Sequence, residues 1–368
     1  MSRVTRIHLF VGARPNFMKV APVHRALEQQ ASEVELRLVH TGQHYDERMS
    51  QVFFDELGMP EPDEFLGVGS GSHGEQTART LVAVEKLLLD EPTDLVVVAG
   101  DVNSTLAAAL AAVKLHVPVA HLEAGLRSFD EAMPEEHNRK LTDHVSHVLL
   151  THSASALENL DREGIDPQRV HLVGNTMIDS VFAHLPRALE TRPWEALGVG
   201  EGEYALVTLH RPALVDDPDL LRATIGGLDE LAGEMPTIFA VHPRTRARIA
   251  ELGLDPNGSG LRLVEPLGYL SFLGLQARAR LVLTDSGGVQ EETSALGVRC
   301  FTLRDSTERP VTITNGTNTL LGARPERISE ITRLADAPLE TPSIDLWDGH
   351  AGERAARVLL EFVESAER

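Results

Sequence analysis

Two carboxylates stand just past short apolar runs of the kind that become buried strands. Leu95–Ala99 leads through Gly100 to Asp101, and Val117–His121 leads through Leu122 to Glu123. Acids at the carboxyl ends of neighbouring parallel strands would face one crevice, where they can move protons. Asp101, with Asn103 and Ser104, would serve equally well as a helix cap. Glu123 is a poor cap, so the coincidence favours chemistry. Glu135 and Glu136 follow Pro134, where acids suit the positive end of a helix dipole. In the second half His210 and Arg211 end the run Ala205–Leu209. Thr284-Asp285-Ser286-Gly287-Gly288 passes from a strand into a helix, which turns free backbone N–H groups toward an anion. Glu292, one turn further, is placed to accept hydrogen bonds from ribose hydroxyls. Arg309 is a further cation after a strand. Gly12-Ala13-Arg14-Pro15-Asn16 enters the first helix with Arg14 and Lys19 as cations for an anionic ligand. As structure alone, both are surface charges of a helix start. The loop lacks the GxGxxG spacing of a nicotinamide site. His137, His144, His147 and His152 fall close together, but no acid or cysteine completes a zinc pattern, and no metal is expected.

Such residues need scaffolds, and the chain supplies them in βαβ order. Strands are expected at Arg6–Val11, Glu35–His40, Leu95–Ala99, Val117–His121 and His147–Leu150. Helices are expected over Lys19–Gln30, Gln76–Leu89 and Ser104–Leu115. The second half repeats the scheme with strands at Ala205–Leu209, Thr237–Val241, Leu261–Val264, Leu281–Thr284 and Arg299–Thr302. Leu185–Tyr204, rich in Pro and Gly, reads as a crossover with little core of its own. The expectation is an α/β chain of two Rossmann-like domains, 1–172 and 173–349, facing a central cleft.

Composition narrows the function. At 368 residues the chain is long enough for two cores, and 42% hydrophobic residues mark it as globular. A net charge of −21 speaks against a nucleic-acid partner. Cys300 is the single cysteine, so no internal disulfide is possible and a reducing cytoplasm is the natural setting. No signal-peptide pattern opens the sequence, and no apolar run reaches the ~20 residues of a membrane helix.

Taken together, GARPNFMKVAP, AGDVNST, HLEAGLRS, MPEEHNR, GNTMIDS, TLHR, TDSGGVQEE and STERP resemble, in order, the non-hydrolysing UDP-N-acetylglucosamine 2-epimerases. The resemblance runs from residue 7 to about residue 322. It implies a glycosyltransferase-B-like fold, a homodimer, and reversible conversion of UDP-GlcNAc to UDP-ManNAc without metal or nicotinamide cofactor. The last helix, about 350–368, would return to the first domain. By motif, Asp101, Glu123, Glu135 and His210 fall on catalytic positions. Arg14, Lys19, Phe272, Ser286, Gly287, Gly288, Glu292 and Arg309 fall on UDP-binding positions. In relatives a second UDP-sugar site activates the enzyme; Gln43, His44, Arg211 and His242 match it, implying a UDP-GlcNAc effector. That site is altered here: Pro212-Ala213-Leu214 follows Arg211, and Glu47 replaces a glutamine. Leu267 stands where some members carry a uracil-contacting glutamine.

The chemistry fits these residues. C2 of an N-acetylhexosamine has no neighbouring carbonyl carbon, so its hydrogen becomes acidic only as the C1–O bond breaks and UDP leaves. A diphosphate sink and acid/base groups are then required. Three carboxylates brought together should repel and leave one protonated near neutrality. Alternatives are a UDP-2,3-diacetamido-glucuronic acid 2-epimerase, a UDP-sugar glycosyltransferase of the same fold, and a silent UDP-sugar sensor.

Overall fold

In a computed structural model the strands assemble into two sheets in which every pairing is parallel. The structure describes residues 4–30, 34–42, 58–254 and 260–366, without the Arg14 side chain. The chain divides into two compact units, Met1–Ala183 with Asp345–Arg368, and His184–Ile344. The change falls inside the helix Thr176–Glu190, because its first turns belong to the first unit. There Ser180 Oγ donates to Met18 O, and Asp179 caps the C-terminal helix.

The first unit contains β1 (Thr5–Val11), β2 (Val34–His40), β3 (Glu64–Phe65), β4 (Leu95–Ala99), β5 (Val119–Ala124), β6 (Val148–Thr151) and β7 (Val170–Leu172). Their order is β3-β2-β1-β4-β5-β6-β7. The second contains β8 (Ala205–Thr208), β9 (Thr237–Ala240), β10 (Leu261–Val264), β11 (Leu281–Thr284), β12 (Arg299–Thr302) and β13 (Asn318–Leu320), ordered β10-β9-β8-β11-β12-β13. Each unit is therefore a doubly wound α/β sheet. The chain begins in mid-sheet, builds to one edge, then returns to the other side of its first strand. Loops leaving β1 and β4, or β8 and β11, diverge there and open a crevice at the strand ends. The central strands β4 (LVVVA) and β11 (LVLT) are buried throughout, as sheets covered on both faces require.

Three departures from the sequence reading have local causes. The edge strands β3, β7 and β13 are two or three residues long, too short for any periodicity to announce them. Strand β5 runs on to Ala124, so Glu123 lies within the strand's last residues and does not follow it. Leu185–Tyr204 does contribute core: Trp194 and Tyr204 are buried with Leu206, Ile238 and Leu275. The Tyr204 hydroxyl donates to Leu275 O. That segment is a packing element of the second unit.

The C-terminal helix Ala351–Ala366 belongs to the first unit. Its buried stripe of Ala355, Ala356, Leu359 and Val363 follows helical spacing. Asp179 accepts from the N–H groups of Ala351 (3.1 Å) and Gly352 (2.6 Å), a carboxylate at the positive end of a helix. Among the described residues no helix is long and apolar enough to cross a membrane.

Strand β1 also carries an acid-sensitive group. His8 is fully buried, and neither ring nitrogen has a hydrogen-bond partner among the described residues. Burial, then Arg6 and Arg37, push its pKa down to about 4, against weaker upward pulls from Glu35 and Asp63. Burial likewise pushes His40 down to about 4. Unfolded histidines take up protons near 6.5, so between pH 6.5 and 4 the unfolded chain binds more protons than the folded one. Stability is therefore complete above pH 6.5 and falls as the pH drops toward 4, by up to ~3 kcal/mol for each ring. A series of thermal midpoints from pH 7 to 4.5 should decline, and His8→Phe should flatten the slope. An unchanged slope in that variant contradicts the assignment.

Candidate active site

In the first unit the crevice at the end of β1 and β4 is tied by Asn16. Its Oδ1 accepts from the N–H groups of Gly12 (3.2 Å) and Ala13 (2.9 Å), and its Nδ2 donates to Ala99 O at 2.8 Å. One buried amide thus fixes the first loop to the strand that leads to Asp101. Lys19, one helical turn later, is buried and pairs through Nζ with Glu123 Oε2. Glu123 is itself buried and holds a left-handed backbone (φ 71°), where the pairing of β5 with β6 shifts register between Leu122 and Ala124. Left-handed backbone at a non-glycine residue costs about 1–3 kcal/mol and persists where the surroundings overdetermine it. Gly100 (φ 69°) keeps the floor open: a Cβ there would lie 3.1 Å from Lys19 Nζ and 3.4 Å from Glu123 Oε2.

Asp101 is half-buried, and its Oδ2 accepts from Arg139 Nε at 3.0 Å. Arg139 Nη1 also donates to Glu136 at 3.0 Å. Of the adjoining acids, Glu136 is the structural one. It is fully buried and accepts from Ser128 N (2.8 Å), Ser128 Oγ (2.9 Å) and Phe129 N (3.1 Å). Burial raises its pKa, but those donors and Arg139 outweigh it and hold the carboxyl below its ordinary range. Glu135 lies half-buried in the first turn of the helix Pro134–Val145. Beneath the bend a further acid acts as a hub. Asp143 Oδ1 meets His121 Nδ1 at 2.7 Å, while its Oδ2 meets Arg127 Nη1 at 2.7 Å and the Gly125 N–H at 3.1 Å. His121 Nε2 reaches Gly100 O at 2.8 Å, so this cluster braces both acid-bearing loops. The expected unrelieved repulsion among the acids does not hold for Asp101 and Glu123, because each has its own cation.

The second unit builds a different constellation at the ends of β8 and β11. The helix Gly287–Leu296 starts at Ser286, whose N–H donates to Thr284 Oγ1 at 3.0 Å. Arg309 lies across this start: a Cβ on Gly287 would come within 2.5 Å of its Nη1. Glycine is thus what admits the guanidinium to the helix N-terminus. Arg309 Nε meets Glu291 Oε1 at 2.9 Å, and Arg304 Nη2 meets Glu308 Oε2 at 2.8 Å. The loop carrying Arg309 is held through Thr307, whose hydroxyl donates to Gln290 Oε1 at 2.7 Å; Asn318 Nδ2 donates to the same oxygen at 3.0 Å. Glu292 is buried on the same helix. His210 Nδ1 lies 3.1 Å from Asp285 Oδ1. Phe272, on the helix Tyr269–Ala277, is partly buried with Leu267 against the Trp194–Tyr204 cluster.

Within the first unit the structure brings together Lys19, Asp101 and Glu123; within the second, Ser286, Gly287 and Arg309, with Glu292 on the same helix. Lys19 is engaged by Glu123. Arg211 Nε donates to Asp285 O at 2.9 Å, and His242 caps the helix Pro243–Glu251 with its ring centroid 6.0 Å from that of His210. Gln43, His44 and the Arg14 side chain lie outside the described residues. Of the histidines considered for a metal, His137 engages Glu131 O, His144 engages Lys140 O and His147 the Val119 N–H, while the His152 ring packs edge-on against Trp347. Sequence reasoning missed Arg139 and Asp143, read Glu136 only as an acid at a helix start, and gave Asn16 no role. The Arg139 and Asp143 side chains have partners up to 38 and 22 positions away, which nothing local marks.

A family model described as UDP-N-acetylglucosamine 2-epimerase matches residues 25–360. The chain is 42% identical over 362 residues to a UDP-N-acetylglucosamine 2-epimerase of Methanocaldococcus jannaschii, covering 96% of this chain and 98% of the relative. It is 44% identical to a UDP-2,3-diacetamido-2,3-dideoxy-D-glucuronate 2-epimerase of Pseudomonas aeruginosa, covering 97% and 100%. The crystal structure of the M. jannaschii enzyme with UDP-GlcNAc and UDP superposes with a TM-score of 0.89 at 42% identity, covering 97% of this chain and 100% of that one. A glycosyltransferase from Rickettsia africae, at 12% identity and a TM-score of 0.56, shares the fold alone. Two doubly wound units of the glycosyltransferase-B type, a family model spanning most of the sequence and relatives above 40% identity have one reading: the chain belongs to the UDP-N-acetylglucosamine 2-epimerases, a family of isomerases.

Proposed function

We propose that this chain interconverts UDP-N-acetylglucosamine and UDP-N-acetylmannosamine by expelling and re-adding UDP. The observation that carries the reading is Glu123, a buried carboxylate in left-handed backbone beside a buried ammonium, with Asp101 just past the end of the neighbouring strand β4. The C1–O bond breaks, its electron pair leaves with UDP, and a carboxylate takes the C2 proton to give 2-acetamidoglucal. In return, UDP oxygen attacks C1 while a proton reaches C2 from the opposite face. Asp101, Glu123 and Glu135 form the proton-transfer set, their order left open. His210 assists the departing diphosphate or orients the sugar.

The Ser286–Gly288 helix start, Arg309 and Arg14 form the diphosphate sink, with Lys19 serving both it and Glu123. Glu292 accepts from ribose hydroxyls, and Phe272 contributes to UDP binding. We further propose a homodimer in the cytoplasm. A UDP-GlcNAc effector site through Gln43, His44, Arg211 and His242 rests on the family resemblance. Incubation with UDP-GlcNAc in D₂O, followed by NMR, should show deuterium at C2 of both epimers. Epimerised product that keeps its original hydrogen would overturn the mechanism.

The likeness to the Pseudomonas enzyme favours a second reading, UDP-2,3-diacetamido-glucuronic acid as substrate. Turnover of both sugars, assayed side by side, decides between them. A glycosyltransferase would leave C2 unlabelled and transfer sugar to an acceptor, and a sensor would bind UDP-sugar without turnover.

A further inference from the structure

In the second unit one acid lies under both functional ends of the sheet. Thr208 and Thr284 are register partners on β8 and β11, and Asp285 follows the latter directly. Its side chain is fully buried. Oδ2 accepts from the backbone N–H groups of His210 (2.9 Å) and Arg211 (2.8 Å), and Arg211 Nε donates back to Asp285 O at 2.9 Å. The second oxygen, Oδ1, lies 3.1 Å from His210 Nδ1. Burial raises the Asp285 pKa, but His210 and these N–H donors outweigh it and keep the carboxyl below its ordinary range. The imidazole is 42% exposed: Nδ1 lies over the buried carboxylate at ion-pair distance, without the alignment of a formed hydrogen bond, and the ring still reaches solvent. The residues after Asp285 are Ser286, Gly287 and Gly288, the anion-facing helix start.

We infer that Asp285 is a positioning residue for His210: it holds the imidazole proton on Nδ1, which leaves Nε2 as the nitrogen for the substrate. The inference rests on the epimerase reading for its catalytic consequence, but not for the tautomer. An ionised carboxylate only accepts hydrogen bonds, so a neutral ring facing it must place its hydrogen on Nδ1. Tying the backbone of His210 to the strand that starts the anion turn also fixes ring and turn together.

Asp285→Asn separates this role from simple bracing. The amide oxygen can still accept from the His210 and Arg211 N–H groups. The NH₂ then faces Nδ1 and makes it an acceptor, which moves the ring proton to Nε2. ¹⁵N NMR of the unliganded wild-type protein, with His210 assigned by its loss in His210→Gln, should show the neutral ring protonated on Nδ1. Asp285→Asn should show the Nε2–H form and a kcat lower by about 10²-fold, with KM changed by no more than about threefold. A wild-type ring protonated on Nε2 overturns the inference, and that measurement needs no variant of Asp285 to fold. A kcat loss without a tautomer change overturns it too, as does a tautomer change without a kcat loss. Absence of deuterium exchange in the wild type would instead remove the epimerase reading, and the spectra would still decide the tautomer.

Discussion

Glu123→Gln is expected to lower turnover by about 10²-fold or more while UDP binding stays measurable by calorimetry. Glutamine keeps the volume and the left-handed backbone but cannot take up the C2 proton. The change also strips Lys19 of its buried counter-charge, which by itself destabilises. Unfolding in urea separates the two effects: a variant that stays folded under assay conditions and still binds UDP has lost turnover through the missing base, whereas one that unfolds there has lost it through the stranded ammonium. Near-normal turnover in Glu123→Gln removes the residue from the mechanism.

Asp143→Ala should be among the most destabilising single changes, at about 3–5 kcal/mol, because it takes a buried carboxylate away from the buried Arg127 guanidinium and the buried His121 ring. Asp143 is fully buried and meets His121, Arg127 and the Gly125 N–H. Burial raises its pKa, yet His121 and Arg127 outweigh that cost and hold the carboxyl below its ordinary range. Arg127 would keep its two-pronged contact with Glu163, at 2.7 Å through Nε and Nη2, and its Nη1 bond to Leu126 O at 2.7 Å. Unfolding in urea measures the effect, and a loss under about 1 kcal/mol would show that His121 and Arg127 find other partners. Because the same carboxylate pins Gly125 and, through His121, Gly100, the loss of stability should come with loosened Asp101 and Glu123 loops.

Much of the site was legible because it is written locally. Apolar runs followed by Asp101, by His210 and by Ser286-Gly287-Gly288 mark strand ends and a helix start, since backbone geometry and hydrophobic period act over a few residues. The strand ending near Glu123 was misplaced for the same reason. A register shift against β6 carries β5 to Ala124, and no short-range pattern encodes a partner strand. The crossover segment misled in another way, as its prolines and glycines outweighed Trp194 and Tyr204, which are buried in the core of the second unit.

Sequence alone determined the α/β class, the repeated βαβ scheme and most of the residues at the strand ends, because these follow from periodicity and turn chemistry. Tertiary structure decided which charge meets which. Lys19 reaches Glu123 across 104 positions, Arg139 reaches Asp101 across 38, and Asp285 holds the His210 N–H across 75. Those distances close only when each doubly wound sheet brings separate loops to its own switch point, where burial makes an unpaired charge too costly to leave unmet.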